Sequence, residues 1–479
     1  MGESAKLGGK IRALRRRDGL TQVQLAERLG ISASYLNLIE HNQRSLTAAL
    51  LLKLARELKL DLASLSEDNE ARLTADLSEI FGDAIFEEHP VTVADIRDLA
   101  ANPAASRAVL ALYQAYEGAR ESAQAMASRL SDGAEVPGLD AARLPSEEVS
   151  DVIQDARNYF GEIEEAAERL TWDAQLDLDD LFNGMARYLS EAHGIEMVVT
   201  DVGSDRTALR RYEPATKRLY ISEMLPPRSR NFQVAHQIGL LAATNAFQKV
   251  IDRARLSTPD SIALCRVTLA SYFAGALLMP YAAFLEAAEA MRYDTELLGH
   301  RFRTSFEQVC HRMTTLQRPG AEGVPFHLIR VDIAGNISKR FSASGIHFAR
   351  FSGLCPRWNV HAAFMTPGQI QTQLSRMPDG TTYFCIARTV RKGHRGHGTP
   401  HTLHSIGLGC EVQYARRLVY ADGVDLNHLE AAVPIGITCR LCERLDCEQR
   451  AFPPIQHRLE VDENVRRVSF YAPAVKPER

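Results

Sequence analysis

Leu20 to Arg44, LTQVQLAERLGISASYLNLIEHNQR, is the stretch on which the reading of this chain turns. It spells a helix, a tight turn and a second helix. Thr21 offers a hydroxyl cap to the first helix, and Leu25, Ala26 and Leu29 recur at helical spacing. Gly30 ends that helix where a left-handed backbone costs little. Ser32 caps the second helix, whose Leu36 and Ile39 face back onto the first. The outward positions Ser32, Ser34, Tyr35 and Asn37 are small or hydrogen-bonding. A recognition helix presents such residues to base edges in a major groove. The stretch reads as an output device, and the rest of the chain as what governs it.

Charge supports that division. Residues 1–65 carry 11 Lys/Arg against 6 Asp/Glu, a net of +5, while the whole chain stands at −4. A local basic patch on an acidic protein suits a DNA-reading module joined to a regulatory body, and argues against a chain that coats nucleic acid throughout. At 479 residues, about three domains are expected. The basic start, MGESAKLGGKIRALRRR, lacks the apolar core of a secretory signal, so a cytoplasmic, reducing setting is expected. Val267 to Leu285 is uncharged and long enough to suggest a membrane span. It includes Thr268, Ser271 and Tyr272, and no basic clusters flank it, so a buried core helix ending near Pro280 is the better reading.

Around the opening stretch, Ile11, Leu14, Leu50, Leu54 and Leu58 supply apolar faces, with a cap near Thr47. Arg15, Arg16 and Arg17 stand where phosphate contact is plausible, although a charge run is more often a solvated face. Residues 66–135 read as helices broken at Pro90 and Pro103, suited to dimerisation or to spacing, and Ser131 to Pro145 as a linker. Helical patterns follow over Ile153 to Leu170 and Leu176 to His193, then short strands at Met197 to Thr200 and Arg218 to Ile221. Later strand-like runs are Phe326 to Asp332, Thr382 to Arg388 and Val412 to Tyr420. The eight Cys cluster late, and Cys439, Cys442 and Cys447 form a C-x2-C-x4-C run able to converge on one metal. Cys410 is the first choice for a fourth ligand and Cys355 the second. Spacing alone leaves an iron–sulfur cluster and zinc open, the latter with His457 joining the three thiols. Cys265, Cys310 and Cys385 read as core residues, and the His-rich Lys392 to His404 as a solvated loop.

Gly19 to Arg44 closely resembles the lambda-repressor-like XRE helix-turn-helix family, matching its Gly-Leu-Thr-Gln, Leu-Ala, Gly-Ile-Ser, Tyr-Leu, Ile-Glu and final Arg in order. The resemblance implies that Gln22, Ser32, Ser34, Tyr35, Asn37 and Arg44 line the DNA face. Asn231 to Leu240, NFQVAHQIGL, with Phe273-Ala274 and Leu277-Leu278-Met279-Pro280, resembles the IrrE-like (ImmA-type) peptidase domain. Its chemistry is missing. A zinc peptidase needs two His one turn apart and a Glu as base. Here only His236 remains, Gln237 replaces the Glu, and Leu240 replaces the second His. A neutral amide takes no proton from water. Val267, Thr268 and Leu269 stand where the family has its acidic third ligand.

The order of all three bodies, with Phe348 to Phe364 (FARFSGLCPRWNVHAAF) and the Cys run, resembles the short-chain fatty acid (ScfR-type) regulator family. That resemblance implies a regulator of propionate or acetate metabolism signalled by a short-chain acyl-CoA, and a [4Fe–4S] cluster at the Cys motif as in the methylcitrate-cycle regulators. Arg357, Trp358 and Arg388 have the chemistry for CoA phosphates and an aromatic surface, and equally that of ion pairs and core.

The expected architecture is multidomain, mainly α and then α+β. It comprises a lambda-repressor-like helix-turn-helix domain over 6–65 and a helical connector and linker over 66–145. A degenerate zincin-like (IrrE-type) domain follows over 146–310, and a Cys-rich α+β sensor domain over 311–479. The expected partners are double-stranded operator DNA and an acyl-CoA, on a homodimer or larger homo-oligomer, with no membrane. The rival reading is a zinc peptidase that cleaves a repressor partner; a phage-type regulator is the third.

Overall fold

A computed structural model of the chain describes residues 11, 12, 15, 20–41, 44, 50, 53, 54, 57, 67–86, 89, 91–131, 145–200, 208–348, 353–392, 402–439, 442–453, 466, 468, 469 and 471. Leu14, Arg16, Arg17, Thr47, Leu58, Pro90, most of the expected linker, His457 and residues 393–401 lie outside them. The chain divides into two compact units, the first dominated by Met1–Ala142, the second by Arg143–Phe348 and Gly353–Arg479.

In the first unit, helix α1 (Gln22–Leu29) and helix α2 (Ala33–Glu40) form the helix-turn-helix. Thr21 accepts from the Gln24 amide while the Gln24 side chain returns to the Thr21 amide, closing a capping box. Gly30 is left-handed at φ +71°, and Ser32 accepts from the Tyr35 amide. Leu25, Ala26, Leu29, Leu36 and Ile39 close a core with Ile11, Leu50 and Leu54. A separate small core joins α3 (Glu67–Phe81), α4 (Val93–Ala100) and α5 (Pro103–Ser131) through Leu77, Ile80, Ile96 and Leu110. Pro103 does not break a helix; it starts one, where its missing N–H has no partner to lose.

The second unit sets a helical body against a sheet. Its helices are α6 (Pro145–Asp155), α7 (Gly161–Asp173), α8 (Leu181–His193), α9 (Pro227–Ala242) and α10 (Thr244–Ala254). They continue with α11 (Pro259–Leu278), α12 (Tyr281–Ala290), α13 (Thr295–Arg301) and α14 (Phe306–Thr314). The expected single helix over 153–170 is two, because Arg157 and Asn158 turn left-handed, each at φ 51°. Helix α11 is long and apolar enough to cross a membrane by length and composition, and half of it is buried inside the fold. It stops at Leu278, two residues before Pro280.

A three-stranded sheet holds β1 (Glu196–Thr200) parallel to β3 (Arg218–Ser222), with β2 (Arg210–Glu213) antiparallel on the other side of β3. A hairpin of β4 (Gln317–Arg318) and β5 (Ala321–Glu322) leads to a six-stranded sheet. Its strands are β6 (His327–Asp332), β7 (Ile337–Ser342), β8 (Gln371–Arg376), β9 (Thr382–Lys392), β10 (Thr402–Glu411) and β11 (Val433–Pro434), in the order β11-β8-β9-β10-β6-β7. The strand period of two sorts the residues. Leu328, Phe384, Ile386, Ile406, Leu408 and Cys410 join the helical core. Ile329, Val331, Tyr383, Cys385 and Ala387 face a second core with Trp358 and Cys355.

Val412 to Tyr420, expected as a strand, is two 3-10 turns; the strand is β10 just before it. Crowding requires its Gly407 and Gly409. A Cβ at Gly407 would stand 2.5 Å from Val360 Cγ1, and one at Gly409 2.4 Å from His327 Nε2.

Candidate functional site

The outward face of the helix-turn-helix carries Ser32, Ser34 and Asn37 exposed and Tyr35 half-buried, with Arg44 exposed beyond α2. Gln22 donates to Asn37 Oδ1 at 3.1 Å and to Glu40 Oε2 at 2.8 Å, so the two helices are tied at this face. Arg15 does not stand free for phosphate. It is buried and grips Glu40 through Nε at 2.6 Å and Nη2 at 3.0 Å. A guanidinium brought under the fold needs such a two-point partner.

On α9, His236 is held on both sides. His236 is buried, with Nδ1 2.7 Å from Arg210 Nη1 and Nε2 3.2 Å from the Val267 carbonyl. An arginine only donates, so Nδ1 must accept and Nε2 must carry the proton. Both ring nitrogens are then engaged and none faces an open position. Burial, with Arg210 adding to it, pushes the imidazole down to about 4. Gln237 is buried beside it.

A cavity of about 1180 Å³ opens between the helical body and the sheet of the second unit. One wall is apolar, from Phe160, Leu225, Phe232, Leu264, Leu269 and Met279. The other is cationic, from Arg330, Lys339, Arg340, Arg391 and Lys392 on β6, β7 and β9. Between them lie Glu307 and His311 on α14, and Arg312. Arg312 is fully engaged. It holds Glu164 through Nη1 at 2.5 Å and Nη2 at 2.9 Å and donates to the Met279 carbonyl at 2.9 Å, while the Tyr272 hydroxyl donates to Glu164 at 2.7 Å.

The Cys run lies near the second core. Cys355 feels the thiols of Cys439 and Cys442, and burial first, then these neighbours, push it above its ordinary value. Cys442 is raised by burial, with Cys447 adding to it. Arg450, itself buried, reaches into this loop and donates to the carbonyls of Cys439, Cys442 and Arg444. Its Nε has no partner among the described residues. Among the described residues, no three His, Cys, Asp or Glu side chains stand close enough to hold a metal ion.

Three family descriptions match in succession: "Helix-turn-helix" over residues 11–65, "IrrE N-terminal-like domain" over 190–314, and "Short-chain fatty acyl coenzyme A regulator, C-terminal" over 315–471. The HTH-type transcriptional regulator PrpR of Mycobacterium tuberculosis is 41% identical over 458 residues, 95% of this chain and 93% of that protein. The chain belongs to the short-chain fatty acyl coenzyme A regulator family. A propionyl-CoA carboxylase regulator of Cereibacter sphaeroides is 42% identical over 97% of this chain and 98% of its own length. The HTH-type transcriptional regulator RamB of M. tuberculosis is 40% identical over 97% of this chain. A solved structure titled as an M. tuberculosis transcriptional regulator superposes with a TM-score of 0.66 at 42% identity, covering 69% of this chain and 99% of that one. This family member is a transcriptional regulator, like its curated relatives, and not an enzyme; the peptidase reading falls with that.

The residues singled out in the regulator's sequence fall in separate places. Gln22, Ser32, Ser34, Tyr35, Asn37 and Arg44 stay together on the helix-turn-helix unit. Arg357, Trp358 and Arg388 do not line the cavity. Trp358 is core, stacked on His327; Arg388 pairs with Glu296 at 3.0 Å; the Arg357 carbonyl accepts from Gln373. Cys410 is buried with the helical core, while Cys355 belongs to the opposite face, where it senses Cys439 and Cys442. Sequence reading missed Glu307, Arg330, Lys339 and Lys392, whose one local signal is the adjacent basic pair Lys339-Arg340 on β7.

Proposed function

We propose that this regulator reads paired operator half-sites as a homodimer or larger homo-oligomer in the cytoplasm, and that a short-chain acyl-CoA in the cavity sets its grip, to control propionate or acetate metabolism. The observation that carries this is the cavity's two walls. An acyl-CoA joins phosphates to an apolar acyl thioester, and needs cations for one and a slot for the other. The name of the Cereibacter relative supports a thioester signal. The segments 6–65, 66–145, 146–310 and 311–479 divide the work into operator reading, pairing, and a sensor made of a peptidase relic and a sheet. A ligand shifts operator affinity only by binding the DNA-competent and DNA-incompetent arrangements unequally. Gel-shift titration of the upstream region of its own operon tests this. Propionyl-CoA should change operator affinity for the wild type and not for Lys339→Glu. Equal affinity with and without acetyl-, propionyl- and butyryl-CoA overturns it.

We also infer a metal centre at the Cys run, held by Cys439, Cys442 and Cys447 with Cys355 as the fourth thiol. What supports it is pairwise proximity, of Cys355 to Cys439 and Cys442 and of Cys442 to Cys447, and the arginine that gathers the loop's carbonyls. Thiolates in fours suit an iron–sulfur cluster, and a structural zinc ion equally. A [4Fe–4S] cluster there supplies redox input when bound. Anaerobic reconstitution should give a visible absorbance that Cys355→Ser and Cys442→Ser abolish and Cys410→Ser leaves intact; stoichiometric zinc in its place makes the site structural.

A further inference from the structure

The cationic wall already has an anion of its own. Glu307 stands in the first turn of α14, after the Ser305 cap. Its Oε1 accepts from Arg330 Nη1 at 2.9 Å and lies 3.6 Å from Lys339 Nζ; its Oε2 meets Lys392 Nζ. His311, whose Nε2 accepts from Lys339 Nζ at 3.2 Å, adds no charge: burial and then Lys339 hold it neutral down to about 3. One carboxylate thus faces three cations delivered by three different strands. Burial alone would raise its proton affinity, yet the charges of Lys339 and Lys392 keep it well below the usual carboxylate range. All of these side chains line the cavity, on the wall that the acyl-CoA reading gives to phosphates.

We propose that Glu307 is the cavity's internal counter-anion: it gathers Arg330, Lys339 and Lys392 while the cavity is empty, and a phosphorylated ligand binds by taking those cations from it. This rests on the acyl-CoA reading of the same cavity and gives that site its selectivity. A ligand with a single weak negative charge cannot replace a carboxylate held at three points. One with several phosphate oxygens can, because each accepts charge-assisted hydrogen bonds in the same way. Glu307 is a specificity-determining residue in this sense, and it makes the empty cavity indifferent to free short-chain acids.

Isothermal titration of the full chain with inorganic diphosphate, coenzyme A and propionate tests it. Glu307→Gln should bind diphosphate and coenzyme A at least roughly tenfold tighter than the wild type, since no internal anion competes. Its thermal midpoint should also rise more on adding diphosphate than the wild type's does, and propionate should gain measurable binding. Unchanged or weaker affinity in Glu307→Gln, with coenzyme A still binding the wild type, overturns the counter-anion and leaves the cavity reading standing. Wild type that binds neither coenzyme A nor diphosphate overturns both. Should Glu307→Gln fail to fold, Glu307→Asp, one methylene short of its three partners, should still bind diphosphate more tightly; wild-type affinity there counts against the proposal.

Discussion

Two carboxylates stand close to one cavity and have opposite characters. Glu164, beneath it, meets one guanidinium at two points and a tyrosine hydroxyl, and its partner Arg312 spends its remaining donors on Met279 and Thr315. Every charge there has a partner, and the arrangement is closed. Glu307, on the wall, faces Arg330, Lys339 and Lys392 together, so positive charge is left over. A balanced pair holds a fold in place, whereas an unbalanced group at the edge of a cavity waits for something else. Burial does not separate the two cases, but the count of opposing charges does.

Three measurements press on that contrast. Arg312→Ala strands a buried carboxylate and should cost about 3–5 kcal/mol in urea unfolding. A loss under about 1 kcal/mol breaks the claim that the floor is structural. A smaller effect is expected from acid. The folded-state pKa of Glu307 is depressed, so its contribution is present above the usual carboxylate value of 4.5 and is lost as pH falls below it. Arg330 on β6, Lys339 on β7, Lys392 on β9, His404 on β10 and its own neighbour His311 all face it. The urea midpoint of the wild type should therefore drop more steeply below pH 4.5 than that of Glu307→Gln; parallel curves count against the depressed carboxyl. The smallest change in stability belongs to Lys392→Met, within about 0.5 kcal/mol of wild type, as for an ordinary exposed side chain. Coenzyme A binding should nevertheless weaken by roughly tenfold, about 1.4 kcal/mol. A large loss of stability without a loss of binding would make the wall a second floor.

The helix-turn-helix was legible because its determinants are local. Thr21, Gly30 and Ser32 each act on the backbone within a few residues, so their roles survive without knowledge of the rest. Arg15 was not, since a run of three arginines does not announce which one turns inward to Glu40. The cavity was less legible still. Phe160, Phe232, Leu269, Glu307, Lys339 and Lys392 meet only after a helical body and a sheet close on each other. Chemistry pointed to Arg357, Trp358 and Arg388, and no local pattern says which arginine ends beside a hollow. Cys355 illustrates the same limit. It comes from a loop 84 residues before Cys439, and sheet β11-β8-β9 rather than spacing carries the two into one neighbourhood. Strand β10 hid behind its glycines, because a period of two cannot be seen where one face has no side chains.

The guanidinium of Arg210 resting on His236 bears on how this molecule can change. Changing Gln237 to Glu and Leu240 to His would write a His-Glu-x-x-His motif on the helix, yet the imidazole would still be claimed on both sides, by an arginine and by the Val267 carbonyl. An imidazole free to bind a metal at this spot therefore needs more than two changes on α9: strand β2 must give up its arginine as well.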